Sequence, residues 1–446
     1  MTGNPEFRRN LWLELTPLRL LGMPLTLVAM FFLAWLMDDH QFGNGVKGLA
    51  LSLFIALTFL WGVRQSAESV LGEIRERTWD WQRMSSISPW SLGWGKLLGS
   101  TIYPWYGGAI CLFFYLLAAD LKPDGVPAAK VVILLVLSGL LMQALALLAS
   151  LQSIIRSRSL SRSQSSAIML LGFFAISPVS ALMMQMKNVS WYGVEIVQID
   201  FALVSILLFL GWALLGVHNQ LRAEFKIRSL PLAWSGFVLF LMVYLAGFAG
   251  TDAKHPALSL YLAIALGVAT TLTYLILFLE RKDPVAARCL VDTFKGRNWR
   301  RFAEGMPCWL VTVPFVLITT VLLLCVPENL MDGATPFAQR AILISMVALL
   351  TRDIGLVLFL NLSRRPQRAD LFAILLFALF YGLLPVILHT MDAKGAAALF
   401  WPLHDRWWIS LPSAVIQAAL MLWLVARRWQ VAIQKAEAAG QEKAEG

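Results

Sequence analysis

A chain of 446 residues that is 58% hydrophobic and only 14% charged, with a mean hydropathy of +0.68, lies outside the soluble class, whose domains carry about 25% charged residues. That composition implies an integral membrane protein. The net charge of +10 is then explained by topology before any nucleic-acid partner needs to be invoked.

The first seventeen residues are too long and polar for the basic region of a signal peptide, and no small-residue cleavage site follows, so the first span is expected to stay as an anchor. A span needs about twenty apolar residues. Six are predicted near 18–37, 47–63, 93–119, 131–155, 167–186 and 199–217. Six more follow near 232–249, 257–279, 307–326, 341–361, 371–389 and 408–426. Twelve spans put both termini on one side. The loops on that side hold 27 basic residues against eight on the other, and the positive-inside rule therefore makes it the cytoplasmic side of an inner membrane.

Between the second and third spans, Glu68–Lys96 forms a polar island, ESVLGEIRERTWDWQRMSSISPWSLGWGK. From Val70 to Met84 it has helical period. Val70, Leu71, Ile74, Thr78 and Trp81 fall on one side, and Glu73, Glu76, Arg77, Asp80 and Arg83 on the other. Ser88–Pro89 stops the helix, because the residue before proline avoids the helical region. The pattern is that of a helix lying on the membrane surface, its charged side free for a partner or only for solvent.

The two halves resemble each other. Pro24 and Pro231 are 207 residues apart, whereas Pro104 and Pro314, Lys130 and Arg340, and the mid-span Gln143 and Asp353 are each 210 apart. These offsets predict two parallel six-span repeats. The first covers 1–217, with its amphipathic cytoplasmic helix inside 68–92. The second covers 218–429, with a degenerate loop at 280–306. A polar tail, 430–446, is either a frayed helix or disorder. In the second loop Val285, Cys289 and Phe294 are predicted to face the bilayer, and Arg288, Asp292 and Lys295 to face away. Its Arg297, Arg300 and Arg301 suit either anionic-lipid attraction or a second docking helix. Nine tryptophans, among them Trp12, Trp35 and Trp408, lie at span ends and read as interfacial anchors.

Chemical motifs are absent. There is no Walker A pattern, no GxSxG, no HExxH and no dinucleotide fingerprint, so the chain is not expected to be an enzyme or to hold a cofactor. The four cysteines (Cys111, Cys289, Cys308, Cys325) form no CxxC pair. On the outer side His40, His255, His389 and His404 each lie near an aspartate, a pattern that polar loops also collect by chance, and no metal site is predicted. Arg352–Asp353, midway along the tenth span, is the leading intramembrane polar feature. It reads as a translocation-path element or as an ion pair that fixes packing, with Gln143 as its counterpart.

The island resembles the cytoplasmic coupling segment of ABC transporter permeases of the second export type. The matching positions are Glu73, Arg75, Glu76, Arg77, Thr78, Ser88, Pro89, Gly95 and Lys96. Trp79 departs from the small or aliphatic residue usual after the threonine, and the second loop lacks the Ser-Pro and Gly-Lys elements. The resemblance implies a permease subunit of an ATP-driven exporter, docking a separate dimeric ATP-binding-cassette subunit that pushes on the island. Glu73, Ile74, Arg75, Glu76, Arg77, Thr78, Trp79, Asp80 and Arg83 would form the coupling site. Within it Glu73, Arg77 and Asp80 would touch the partner, while Ile74 and Trp81 would hold the helix on the membrane. The rival reading is an ion-coupled secondary transporter that uses Arg352 and Asp353.

Overall fold

A computed structural model describes residues 3–85, 87–119, 127–156, 188–227, 229–249, 258–280, 282, 284–326, 335–362, 369–402 and 406–445. The protein is a multi-pass membrane protein built of α-helices, with one short β-hairpin among the described residues. Among the described residues nine helices are long and apolar enough to cross a bilayer, and one pair joined at a sharp bend can serve as a tenth span. The fifth predicted span, 167–186, lies outside the described residues. The chain divides into two compact units, Met1–Ser190 with Val194–Ser229, and Trp191–Gly193 with Leu230–Gly446. The break near Ser229 falls beyond the expected repeat end at 217 because the helix predicted over 199–217 runs on to Glu224.

In the first unit Asn4 caps α1 (Pro5–Glu14) by accepting from the Glu6 and Phe7 amides, and Pro17 opens α2 (Pro17–Met37). Helices α3 (Asn44–Ile55) and α4 (Gly62–Arg75) join through a π-turn, Ala56–Trp61, into one apolar rod of 32 residues. At 1.5 Å per residue it is about 48 Å long, well beyond the bilayer core of about 30 Å. The second span therefore does not stop near residue 63 as its hydropathy suggests. It carries the island's first third upward as the same helix.

After a turn come α5 (Trp79–Met84), α6 (Pro89–Ser100) and α7 (Ile102–Leu117). The predicted span 93–119 is broken, with α6 and α7 meeting at a 54° bend. Pro104 has no N–H to give the Ser100 carbonyl. The Ser100 and Thr101 hydroxyls meanwhile bond back to the carbonyls of Lys96 and Leu97, which further loosens the ladder there. Helix α8 (Ala128–Arg156), a hairpin of β1 (Asn188–Trp191) and β2 (Val194–Val197), and α9 (Gln198–Glu224) follow.

Among the described residues three buried clusters hold this unit, the smallest of them Val63, Ala67, Leu71 and Ala146; the other two are larger. One gathers Leu27, Phe31, Phe54, Phe59 and Leu135, and the other Val70, Trp79, Leu92, Leu147 and Val217. Outside them, α2 presents Leu18, Leu21, Leu25 and Phe32 bare, an apolar surface suited to lipid tails.

The second unit contains α10 (Leu232–Ala246), α11 (Leu258–Leu279), α12 (Pro284–Lys295), α13 (Trp299–Gly305), α14 (Cys308–Cys325) and α15 (Pro336–Asn361). It continues with α16 (Ala369–Phe377), a π-turn at Ala378–Leu383, α17 (Leu384–Thr390), α18 (Lys394–Ala397) and α19 (Trp407–Glu445). The span expected over 232–249 is a helix of only 15 residues, shorter than a straight crossing needs. Val238, Met242, Ala269, Val316 and Leu350 form the buried centre. Gly355 lets α15 approach α19, since a Cβ there would meet the Met421 side chain at 3.2 Å. The tail from 430 continues α19 as a helix to Glu445.

Candidate functional site

The single surface helix expected over Val70–Met84 is two segments. The α4 ladder ends with the Glu76 amide on the Gly72 carbonyl, the Arg77 amide on Ile74 and the Thr78 amide on Glu73, at 2.9, 3.1 and 2.8 Å. Arg77 takes the left-handed conformation, φ +60, where glycine is usual. The chain turns sharply, and α5 starts anew at Trp79. We call this arrangement the first hook.

The turn redistributes the island's residues. Glu73, Trp79 and Gln82 are buried, and Ile74 packs on the core. Glu73 and Trp79, expected among the partner-facing residues, instead point inward. Arg75, Glu76, Arg77, Thr78 and Asp80 are exposed, Arg83 half so. Trp81, expected to hold the helix on the membrane, is 74% exposed. The reason lies in the stripe that α4 buries. Val63, Ser66, Ala67, Val70 and Leu71 continue at helical spacing to Glu73, so the carboxylate inherits an inward position set one and two turns earlier.

Four charges meet there. The Lys96 ammonium, 1% exposed, pairs with the Glu73 carboxylate and donates to Glu6 Oε1 at 3.3 Å and to the Ser69 carbonyl at 3.2 Å. Arg9 bridges Glu6 Oε1 at 3.0 Å and Glu73 Oε1 at 2.5 Å. Gln82 donates to Glu73 Oε1 at 2.6 Å, and the Trp79 ring lies under the Lys96 ammonium at 5.5 Å. Burial works against the Arg9 charge, yet the Glu73 hydrogen bond and the Glu6, Glu73 and Glu76 carboxylates raise its pKa above the ordinary arginine value. Two acids and two bases balance, which makes such burial tolerable.

Glycines bring the parts within reach. A Cβ at Gly95 would lie 2.7 Å from the Glu6 Cβ, and one at Gly99 would lie 2.9 Å from the Asn10 Cβ. Asn4 also donates to the Ser91 carbonyl at 2.6 Å. Helix α1 is thus seated on α6, and both are tied to the end of α4. Sequence reading singled out Glu73 and Lys96 but missed Glu6 and Arg9. Their signal was weak: a charged pair at i, i+3 on a short N-terminal helix.

The second unit repeats the turn. Glu280, at the end of α11, accepts the Cys308 and Trp309 amides at 3.1 and 3.3 Å and so caps α14. Burial raises its pKa, while those two amides and Lys282 pull it back down. Between these elements α12 ends with Arg297 at φ +54. The Arg297 amide bonds to the Phe294 carbonyl and the Asn298 amide to Thr293, both at 3.0 Å. Asn298 then caps α13 at the Arg301 amide. This second hook has the bond order found at Arg77. The expected bilayer-facing side of α12 is not tucked away: Cys289 and Phe294 are as exposed as Arg288, Asp292 and Lys295.

Gln143 and Asp353 are each fully buried, each among partners of its own unit. Gln143 donates to the Thr58 carbonyl inside the Ala56–Trp61 π-turn at 3.1 Å, accepts from Trp105 Nε1 at 2.8 Å, and occupies the space that Gly62 leaves open. Arg352 Nε donates to Asp353 Oδ1 at 2.9 Å, and its other nitrogens reach Gln417 at 2.7 Å and Tyr381 at 2.9 Å. The Tyr381 and Tyr274 hydroxyls donate to Asp353 Oδ2 at 2.5 and 2.7 Å. Tyr381 sits on the second π-turn, and such turns occur frequently at functional sites. Tyr274, Tyr381 and Gln417 were not singled out from sequence, because a lone tyrosine or glutamine in a span carries no spacing signal. Among the described residues no three His, Cys, Asp or Glu side chains converge as a metal site would require.

Comparison with known proteins gives no match: no family model fits the chain, and no curated protein or solved structure is significantly similar to it.

Proposed function

We propose that this chain is the membrane-spanning permease subunit of an ATP-driven ABC exporter, with the first hook as the element that a separate ATP-binding-cassette subunit grips. The observation that carries the reading is the meeting of the motif's two ends. Glu73 of the charged segment and Lys96 of the Gly-Lys element, 23 residues apart, form one buried ion pair. That pair ties the hook rigidly to the bent α6–α7 lever. A push on Arg75, Glu76, Arg77, Thr78 or Asp80 is then transmitted through Lys96 to the 54° bend instead of being absorbed by a loose loop.

In this reading twelve spans form two six-span repeats in the inner membrane, with both termini and both hooks in the cytoplasm. The bent pair and α10 count as spans, and the span expected from the sequence at 167–186, outside the described residues, would be the twelfth. The shared 210-residue offsets of Pro104 and Pro314, Lys130 and Arg340, and Gln143 and Asp353 support the duplication. Nucleotide hydrolysis belongs to the partner. A groove on that partner would receive the mixed charges of the hook, which set register as well as attraction.

Co-expression with a cassette ATPase encoded beside it tests the proposal. The two should co-purify, transport should require ATP, and a charge-reversed R77E/D80K hook should release the partner while the membrane subunit stays folded. Transport driven by a proton or sodium gradient without any ATPase would overturn it.

One observation favours that rival, an ion-coupled secondary transporter: the buried Arg352–Asp353 pair has two tyrosine hydroxyls on the carboxylate, a set able to pass a proton. The gradient experiment separates the two.

A further inference from the structure

The two hooks share a backbone frame and differ in charge. On the first, Arg75 lies 3.6 Å from Glu68, and Arg83 lies 3.4 Å from Asp80, so the surface is of mixed sign. On the second, Arg300 has Glu304 at 3.2 Å, but Lys295, Arg297 and Arg301 are exposed with no carboxylate within ion-pair distance among the described residues. Beside them stand Phe294 and Trp299, 52% and 60% exposed, with ring centroids 5.5 Å apart. Three exposed cations in the same short segment as two exposed aromatic rings suit the headgroup layer, where guanidinium forks meet phosphate oxygens and amphipathic rings settle at the boundary.

The depth of the element agrees. Its N-terminal side follows directly from α11, and Glu280 at that point holds the first amides of α14. Both ends of the loop are therefore fixed where spans begin, and a helix of 12 residues reaches only about 18 Å from them.

We propose that the α12–α13 hook binds anionic phospholipid headgroups of the leaflet beside it, using Lys295, Arg297 and Arg301 on the phosphates and Phe294 and Trp299 at the interface. This assignment does not depend on the ATPase reading. It gives the second hook a membrane-anchoring role where the first has a protein-docking one. At about 1 kcal/mol per basic residue near an anionic surface, each cation contributes about fivefold in affinity and the three together on the order of a hundredfold.

Hydrogen–deuterium exchange of the full chain in nanodiscs tests the assignment. Peptides covering 284–305 should exchange more slowly in phosphatidylcholine mixed with phosphatidylglycerol than in phosphatidylcholine alone. The difference should fade as salt rises and vanish in K295Q/R297Q/R301Q, while peptides covering 62–84 stay unchanged. If the triple variant fails to fold, the salt titration of the wild-type chain decides on its own. Equal exchange in both lipids, protection insensitive to salt, or protection that appears only with an added acidic protein would each overturn the proposal.

Discussion

Lys96 and Glu73 form an ion pair whose ammonium is 1% exposed and whose carboxylate is 11% exposed, on helices that are neighbours only because α6 folds back beside α4. Removing one partner leaves the other charge buried and poorly compensated. K96Q should therefore cost about 3–5 kcal/mol, whereas E73Q/K96Q should recover much of that loss. The fully buried Cys111 thiol provides the readout: its temperature of reaction with a thiol-reactive dye should fall sharply in the single variant and return toward wild type in the double. Equal losses in both would mean that the pair is not what braces the hook.

Packing of α1 on α6 makes a separate prediction. Because a Cβ at Gly95 would sit 2.7 Å from the Glu6 Cβ, G95A cannot be accommodated by a side-chain rotation alone. Overpacking of this kind costs about 1–3 kcal/mol, and the cheapest relief is for α1 to lift away. Limited proteolysis should then cut near Leu13–Thr16 in G95A at protease levels that leave the wild type intact. G22A is the control, since nothing lies within 4 Å of a Cβ there.

Much of the helical layout was legible in the apolar runs, as where 18–37 and 341–361 fall within Pro17–Met37 and Pro336–Asn361. What escaped was set by contacts distant in sequence. Glu73 was placed on a free charged face because the period was read from Val70 and Ile74. The stripe that counts starts at Val63, inside what hydropathy marked as span, and Glu73's partners lie 23 and 64 residues away. The break at Thr101 was hidden for a different reason. Hydropathy averages over a run, whereas one missing amide at Pro104 and two hydroxyls decide the local geometry. At Arg77 an ordinary side chain occupies a left-handed turn, and no residue type announces that. In the site itself, Arg352 and Asp353 were legible because charge in a span is rare, but the tyrosines that complete their bonding were not.

That completed bonding gives a prediction which distinguishes packing from transport. D353N would leave the Arg352 guanidinium buried without its counter-charge, for a loss of about 3–5 kcal/mol. Y381F removes one hydroxyl that links Arg352 and Asp353 and should cost about 1–3 kcal/mol. If the cluster only fixes packing, both variants should lose stability in that order while transport per folded molecule stays unchanged. Loss of transport in Y381F at wild-type thermal stability would instead mark the cluster as part of the path.

Glu280 supplies a pH dependence. Burial raises its pKa above the ordinary glutamate value despite the two α14 amides and Lys282. A carboxyl whose folded-state pKa is raised favours the folded state fully at pH below the unfolded value, about 4.3. That contribution is lost as pH rises from there through the folded value, because ionisation then proceeds more readily in the unfolded chain. In E280Q the amide oxygen still accepts from the Cys308 or Trp309 amide, but nothing ionises. The stability of the wild type relative to E280Q should therefore decline from the acidic end of the glutamate range upward and level off once Glu280 is charged in both states. Thermal unfolding of the two proteins in parallel over that range measures it. A difference that does not change with pH would show that the buried cap is ionised as easily as a glutamate in water.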